Sequence, residues 1–212
     1  MLIPAVILSY LLGSIPVGYI LGKVLRGTDV RCYGSGNFGA TNIFRVISPT
    51  AGIVVLILDM LKGVIPVIVF GDFLLRGLPE LDPLLVRLSL ALASICGHNW
   101  TIFLKFKGGK GVATTAGALA GLSFKLPFLG LIAGLCLGIW LLIVLTTGYV
   151  SLGSIMAACA LPVFMIVFNQ PFKLIIFAVA LCLFVVYRHK SNIRRLLRGE
   201  EGRIFLDKTL SI

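Results

Sequence analysis

The chain has 212 residues, of which 58% are hydrophobic and 13% charged, and its mean hydropathy is +1.07. A soluble domain carries roughly 25% charged residues, so a water-soluble globule is excluded, and the absence of apolar–polar alternation excludes a membrane barrel. The net charge of +11 therefore concerns membrane orientation, and nucleic acid is not an expected partner.

The first apolar run, residues 3–21, has no basic residue before Lys23 and no small-residue cleavage site, so it is expected to stay as a span. Gly18 and Gly22 are spaced for a close helix contact. A polar loop, 22–49, leads to a second span, 50–70. A loop of mixed charge precedes a third, 84–103. The polar knot 104–111 comes next, then a short apolar run, 112–124, closed by Lys125 and Pro127. Further spans are expected at 128–145, 150–168 and 172–187, joined at one end by the turn 146–149 and followed by the basic tail 188–212. Gly130, Gly134 and Gly138 offer a face on which another helix can pack. The five cysteines, Cys32, Cys96, Cys136, Cys159 and Cys182, show no metal or redox spacing and are expected to be buried structural thiols.

The short run is too brief for an ordinary crossing, so charge decides whether it crosses. If it does, Lys23, Arg26, Arg31, Arg45, Lys105, Lys107, Lys110 and the tail's Arg188, Lys190, Arg194, Arg195, Arg198, Arg203 and Lys208 share one side. The basic excess belongs in the cytoplasm. This predicts an all-α membrane protein with seven transmembrane helices in a single polytopic domain, 1–212, N-terminus out and C-terminus in. The short crossing then implies local bilayer thinning or burial among neighbours. Both glycine loops, the 146–149 turn and the tail would face the cytoplasm and could converge.

Chemistry concentrates in Gly34-Ser35-Gly36-Asn37-Phe38-Gly39-Ala40-Thr41-Asn42, closed by Arg45. Glycines let backbone N–H groups approach an anion. Ser35, Asn37, Thr41 and Asn42 add donors, and Arg45 adds a planar charge suited to phosphate. The G-x-G-x-x-G spacing also matches the dinucleotide fingerprint, but no strand precedes it and Asp59 falls inside an apolar run, so that reading fails. Gly108-Gly109-Lys110-Gly111-Val112-Ala113-Thr114 lacks Walker spacing. It does precede a helix whose free N–H groups could hold phosphate, with Lys105, Lys107 and Lys110 beside it. Its alternative is a basic loop that touches lipid headgroups.

Asp59 and Lys62 lie one helical turn apart in a span and can pair, as a structural or a functional couple. His98-Asn99 leads into the second glycine loop. His189 and Asn192 share a face at the end of the last span, and either histidine could act as a base. Ser151, small, polar and at a span end on the cytoplasmic face, is a candidate phosphate-binding residue, with a helix cap as its alternative role. No cluster has metal-ligand spacing and no nucleophilic trio stands out, so neither metal nor cofactor is expected.

Taken together, Ser35-Gly36-Asn37-Phe38-Gly39-Ala40-Thr41-Asn42 with Arg45, Gly97-His98-Asn99-Trp100 leading to Phe106-Lys107-Gly108-Gly109-Lys110-Gly111-Val112-Ala113-Thr114, and His189-Lys190-Ser191-Asn192-Ile193 with Glu200 resemble the bacterial acyl-phosphate:glycerol-3-phosphate acyltransferases. The resemblance covers essentially the whole chain. It implies a multi-pass protein of the bacterial inner membrane, with its active site facing the cytoplasm, that works in phospholipid synthesis. Acyl phosphate would acylate the 1-hydroxyl of glycerol 3-phosphate, giving lysophosphatidic acid and phosphate, with neither acyl-CoA nor acyl-carrier protein as direct donor. It further implies that Ser35 and Arg45 are essential, that Gly108 and Gly109 serve glycerol 3-phosphate binding, that His189 and Asn192 are catalytic, and that Glu200 is structural. A rival reading is a transporter of phosphorylated anions, which inward-facing glycine loops would also suit. Another is a lipid-binding scaffold without turnover.

Overall fold

The computed structural model of the chain describes residues 1–126 and 128–204; Pro127 and Lys208 lie outside them. The described residues are helical, without strands, and fall into two compact units, residues 1–125 and 126–204.

In the first unit, α1 (Leu2–Ser14) and α2 (Val17–Arg26) make one apolar stretch of 25 residues. It breaks at Ile15–Pro16 because proline supplies no N–H and crowds the preceding turn. The stretch outruns the predicted 3–21, since Lys23 and Arg26 in its last turn suit the negative end of a helix. After a short turn at Val30–Cys32 comes α3 (Ala40–Val46). Then α4 (Pro49–Ile65) starts on Ser48, whose Oγ accepts the Ala51 N–H at 3.1 Å. It runs through a π-helical turn, Pro66–Phe70, into α5 (Gly71–Gly77), 29 residues in all. The predicted span stops at 70 because Gly71-Asp72 reads as loop. The helix continues because Arg87 and Lys125, the latter at 2.9 Å, pair with Asp72.

α6 (Pro83–Asn99) is capped by Asp82 and ends at Asn99, before the predicted residue 103; a 3₁₀ turn, Ile102–Leu104, follows. The unit closes with α7 (Val112–Ser123). α1 packs on α6 and α4 on α7. At the second contact two glycines face each other's backbones: a Cβ on Gly63 would lie 2.1 Å from the Thr114 carbonyl oxygen, and one on Gly117 1.9 Å from that of Met60. Gly18 and Gly22, expected to receive a helix, lie instead against Phe38 and Val30 of the first glycine loop.

The second unit holds α8 (Leu129–Thr147), α9 (Val150–Val167), α10 (Phe172–Arg188) and α11 (Lys190–Leu197), the last bent 59° from α10. α9 packs against α8 and α10. Gly134 and Gly138 have nothing within 4 Å, so the expected packing face is open among the described residues. The cysteines are free thiols, but only Cys136 is buried; Cys32, at the end of the Val30–Cys32 turn, and Cys159, whose Sγ lies 3.7 Å from that of Cys182 on α10, are exposed, which corrects the expectation of buried thiols.

Among the described residues four stretches are long and apolar enough to cross a membrane: Leu2–Arg26, Pro49–Gly77, Leu129–Thr147 and Val150–Val167. A fifth is added if the bent pair α10–α11 counts as one span. α6, with 17 residues, and α7, with 12, are shorter.

Candidate active site

The first glycine loop is built around Asn42. This residue, buried on the first turns of α3, donates Nδ2–H to the carbonyl oxygens of Val30 (3.0 Å), Tyr33 (3.2 Å) and Asn37 (2.6 Å). Its Oδ1 accepts the Ser35 N–H at 2.8 Å. Gly34 and Gly36 have φ of +56° and +70°, which L side chains rarely adopt. Asn37 accepts the Gly39 N–H on its Oδ1 at 2.8 Å, which starts α3. Val30, Phe38, Ile43 and Val46 form an apolar core beneath the loop. Ser35 is left exposed, with Thr41 and Arg45 half-buried on α3. The structure therefore gives Asn42 the part of loop scaffold, with its amide hydrogens committed to backbone carbonyls.

The second glycine loop rests on the end of α6. Gly109 N–H donates to the His98 carbonyl at 3.0 Å. A Cβ on Gly109 would lie 2.1 Å from His98 Nε2, and one on Gly108 2.3 Å from the His98 carbonyl oxygen. The motif is anchored from behind, where Tyr10 Oη donates to the Trp100 carbonyl at 2.6 Å and Thr101 Oγ1 donates to that of Ser14. Lys105 and Phe106 both take left-handed backbone, φ 53° and 60°, a conformation that costs about 1–2 kcal/mol per non-glycine residue. Lys105 and Lys107 are exposed and Lys110 is half-buried. Gly111, at φ +75°, opens α7 with no side-chain cap, so the first turn presents free N–H groups. The Asn99 amide and the Thr114 hydroxyl flank this turn, fully buried and without hydrogen-bond partners.

Both loops meet the same residue. The His98 ring tilts against that of Phe38, with centroids 5.6 Å apart, while its other side backs Gly109. Its Nδ1 lies 3.7 Å from Asp59 Oδ1. Asp59 and Lys62 form a buried ion pair at 2.6 Å, as the spacing predicts, and Lys62 Nζ also donates to the Ile15 carbonyl at the α1–α2 break. Sequence reasoning passed over His98 as the meeting point. The available signal was its place at the polar end of an apolar run.

In the second unit the organiser is Glu201. Its Oε1 accepts Ser151 Oγ–H and Asn192 Nδ2–H, each at 2.6 Å, and its Oε2 pairs with Arg195 Nε at 2.7 Å. Burial alone would push this carboxyl up, but the three hydrogen bonds outweigh it and hold the pKa below the ordinary glutamate value. The expected structural glutamate, Glu200, is exposed; past Gly199, at φ +70°, it is Glu201 that faces α11. Ser151 is no helix cap, since its hydroxyl serves Glu201. His189 Nδ1 lies 2.8 Å from the Val185 carbonyl oxygen. A carbonyl only accepts, so Nδ1 carries the proton and the neutral ring has its lone pair on Nε2. Asn192, with Nδ2 pinned, keeps a buried Oδ1 without a partner.

Among the described residues no group of His, Cys, Asp or Glu could hold a metal ion. The geometry suits two anionic groups in the first unit and a proton-accepting nitrogen in the second.

Comparison with known proteins gives one consistent family. The model of the family described as glycerol-3-phosphate acyltransferase matches residues 3–199. A glycerol-3-phosphate acyltransferase of Desulforamulus reducens is 44% identical, over 95% of this chain and 94% of its own. One of Moorella thermoacetica is also 44% identical, over 94% and 96%. Among solved structures, the crystal structure of PlsY, an integral membrane glycerol 3-phosphate acyltransferase, in its glycerol 3-phosphate form superposes with a TM-score of 0.82. That chain is 38% identical, and the match covers 95% of this chain and 94% of the other. Its lysophosphatidic acid form is similar with a TM-score of 0.79 at 36% identity, over the same shares.

Proposed function

The chain belongs to the glycerol-3-phosphate acyltransferase family and is an acyltransferase, and from that premise we propose that its donor is acyl phosphate. The fatty acyl group passes to the 1-hydroxyl of sn-glycerol 3-phosphate, giving lysophosphatidic acid and inorganic phosphate. The observation that carries this reading is the pair of glycine loops on one residue: Gly109 is hydrogen-bonded to His98 and Phe38 lies against its ring. An acyl-phosphate donor puts a phosphate on each substrate, which is what two adjacent anion loops suit.

The hydroxyl oxygen attacks the acyl carbon, the carbon–oxygen bond to phosphate breaks, and phosphate leaves with the electron pair. Phosphate is a good leaving group, so no covalent enzyme intermediate is required; positioning and charge stabilisation suffice. We assign Ser35, Gly34, Gly36, Gly39, Thr41 and Arg45 to the acyl phosphate. The Gly108–Gly111 loop, with Lys105, Lys107, Lys110 and Thr114, would hold glycerol 3-phosphate. His189 is the side chain proposed to take the hydroxyl proton, and the Asn192 Oδ1 suits a hydroxyl donor. Asn37, Asn42, Ser151 and Glu201 shape these elements. Seven crossings in a bacterial inner membrane, N-terminus out and C-terminus in, would place both loops at the cytoplasm, where soluble glycerol 3-phosphate is found; the excess of basic residues in the loops and tail supports this orientation.

The test uses purified protein in detergent with acyl phosphate and glycerol 3-phosphate, without metal or CoA. Equal amounts of phosphate and lysophosphatidic acid should form, and Ser35→Ala and Arg45→Ala should abolish both. If the folded protein makes no ester from acyl phosphate, the proposed donor is wrong.

A further inference from the structure

We propose that the buried Asp59–Lys62–His98 cluster is a spacing device that holds the two glycine loops at the separation acyl transfer needs; this rests on the reading that each loop takes one substrate phosphate. Four observations support it. Asp59, Lys62 and His98 are 1%, 3% and 4% exposed; the first two lie in Pro49–Gly77, long and apolar enough to cross a membrane, and His98 lies at the end of α6. Charged groups there are expensive, and they persist mainly where they carry a function. The cluster reaches the first loop through the His98 ring, 5.6 Å from that of Phe38. It reaches it again through Lys62, which donates to the Ile15 carbonyl at the break before α2; Gly18 of α2 lies against the Phe38 carbonyl. It reaches the second loop through the backbone bond from Gly109 and the ring behind it.

Each loop, in contrast, holds its own shape. The first is cross-braced by Asn42, and the second is anchored through Thr101 and Trp100. Disturbing the cluster should thus leave two loops that still bind their phosphates but at the wrong separation. A misplacement of about 1 Å can cost 10²-fold in rate. Asp59, Lys62 and His98 are positioning residues in this scheme, with no contact to the reacting atoms.

The decisive variant is Asp59→Leu/Lys62→Met. Replacing a buried ion pair by apolar residues of similar volume leaves stability about unchanged or raises it, so a merely structural pair would be replaced without loss. The companion His98→Gln keeps the ion pair and removes the ring. Wild-type protein is assayed alongside, with kcat, the KM of each substrate, calorimetric binding of glycerol 3-phosphate, and the melting temperature. The expected result is a fall in kcat of about 100-fold, with both KM values and glycerol 3-phosphate binding within about threefold of wild type and a native melting transition. A kcat within threefold of wild type in either folded variant overturns the inference, because the cluster is then structural. Loss of glycerol 3-phosphate binding in step with kcat also overturns it, because the cluster then shapes a loop and does not space two. If the double variant does not fold, His98→Gln decides alone. Failure of the underlying reading would look different, since wild-type protein itself would then form no ester.

Discussion

Asn42→Leu tests the first glycine loop most directly. Leucine keeps the volume but removes the two Nδ2 hydrogens shared among the Val30, Tyr33 and Asn37 carbonyls and the acceptor of the Ser35 N–H. The contact with Val30 is buried and the other three are part-buried, so water can replace some of what is lost. At about 1 kcal/mol net per bond, and more where a buried group is orphaned, the loop should lose about 2–4 kcal/mol. One tenfold change in rate corresponds to about 1.4 kcal/mol, so kcat/KM for acyl phosphate should fall about 30- to 1000-fold. The KM for glycerol 3-phosphate should move little, because the second loop is braced instead by the backbone carbonyl at position 98 and by Tyr10 and Thr101. Initial rates of phosphate release, with each substrate varied in turn, read both effects. A folded Asn42→Leu protein with kcat/KM for acyl phosphate within threefold of wild type would refute the scaffold role.

Gly109→Ala puts a Cβ 2.1 Å from His98 Nε2, well inside contact distance, and should raise the KM for glycerol 3-phosphate at least tenfold; an unchanged KM would mean that the loop yields freely. His189→Ala should lose orders of magnitude in kcat with a native melting transition, and near-normal turnover would remove His189 as the proton acceptor. Glu201 contributes through pH. Its folded-state pKa is depressed, so its stabilisation is present above the ordinary glutamate value, about 4.3, and is lost as pH falls through the lower folded-state value. Glu201→Gln should therefore melt below wild type at neutral pH, and the gap should close as pH drops below about 4. A gap that stays constant over that range would show that the carboxylate charge is not what holds Ser151, Asn192 and Arg195.

The helices were legible because a lipid-facing helix is apolar on most of its circumference, and long apolar runs stand out against polar loops. Their ends were harder. The continuation past residue 70 depends on Asp72 meeting Arg87, 15 positions away, and Lys125, 53 away, and neither partner is visible from local composition. The glycine loops were legible by residue type, but the work of Asn42 was not: spacing shows that an amide is near, not that it turns inward to three carbonyls. Adjacent Glu200 and Glu201 cannot be told apart by composition; past the left-handed Gly199 it is Glu201 that faces α11. The Asp59–Lys62 pair followed from helical spacing, whereas its approach to His98 joins two helices far apart in the chain and appears only in three dimensions.

The contact between Gly63 and Gly117 also bears on how such a chain can drift over generations. Here two backbones meet with no side chain between them, so neither position offers a smaller alternative and any larger one wedges α7, and the anion loop at its head, away from α4. One helical face away, Leu56, Ile57, Leu58 and Leu61 are exposed on α4 and can exchange freely among apolar types. A saturation library grown under selection for lipid synthesis would show this as two silent columns beside four permissive ones. The mutable surface of the helix is thus free to follow the lipid composition of its host while the joint beneath the loop stays frozen.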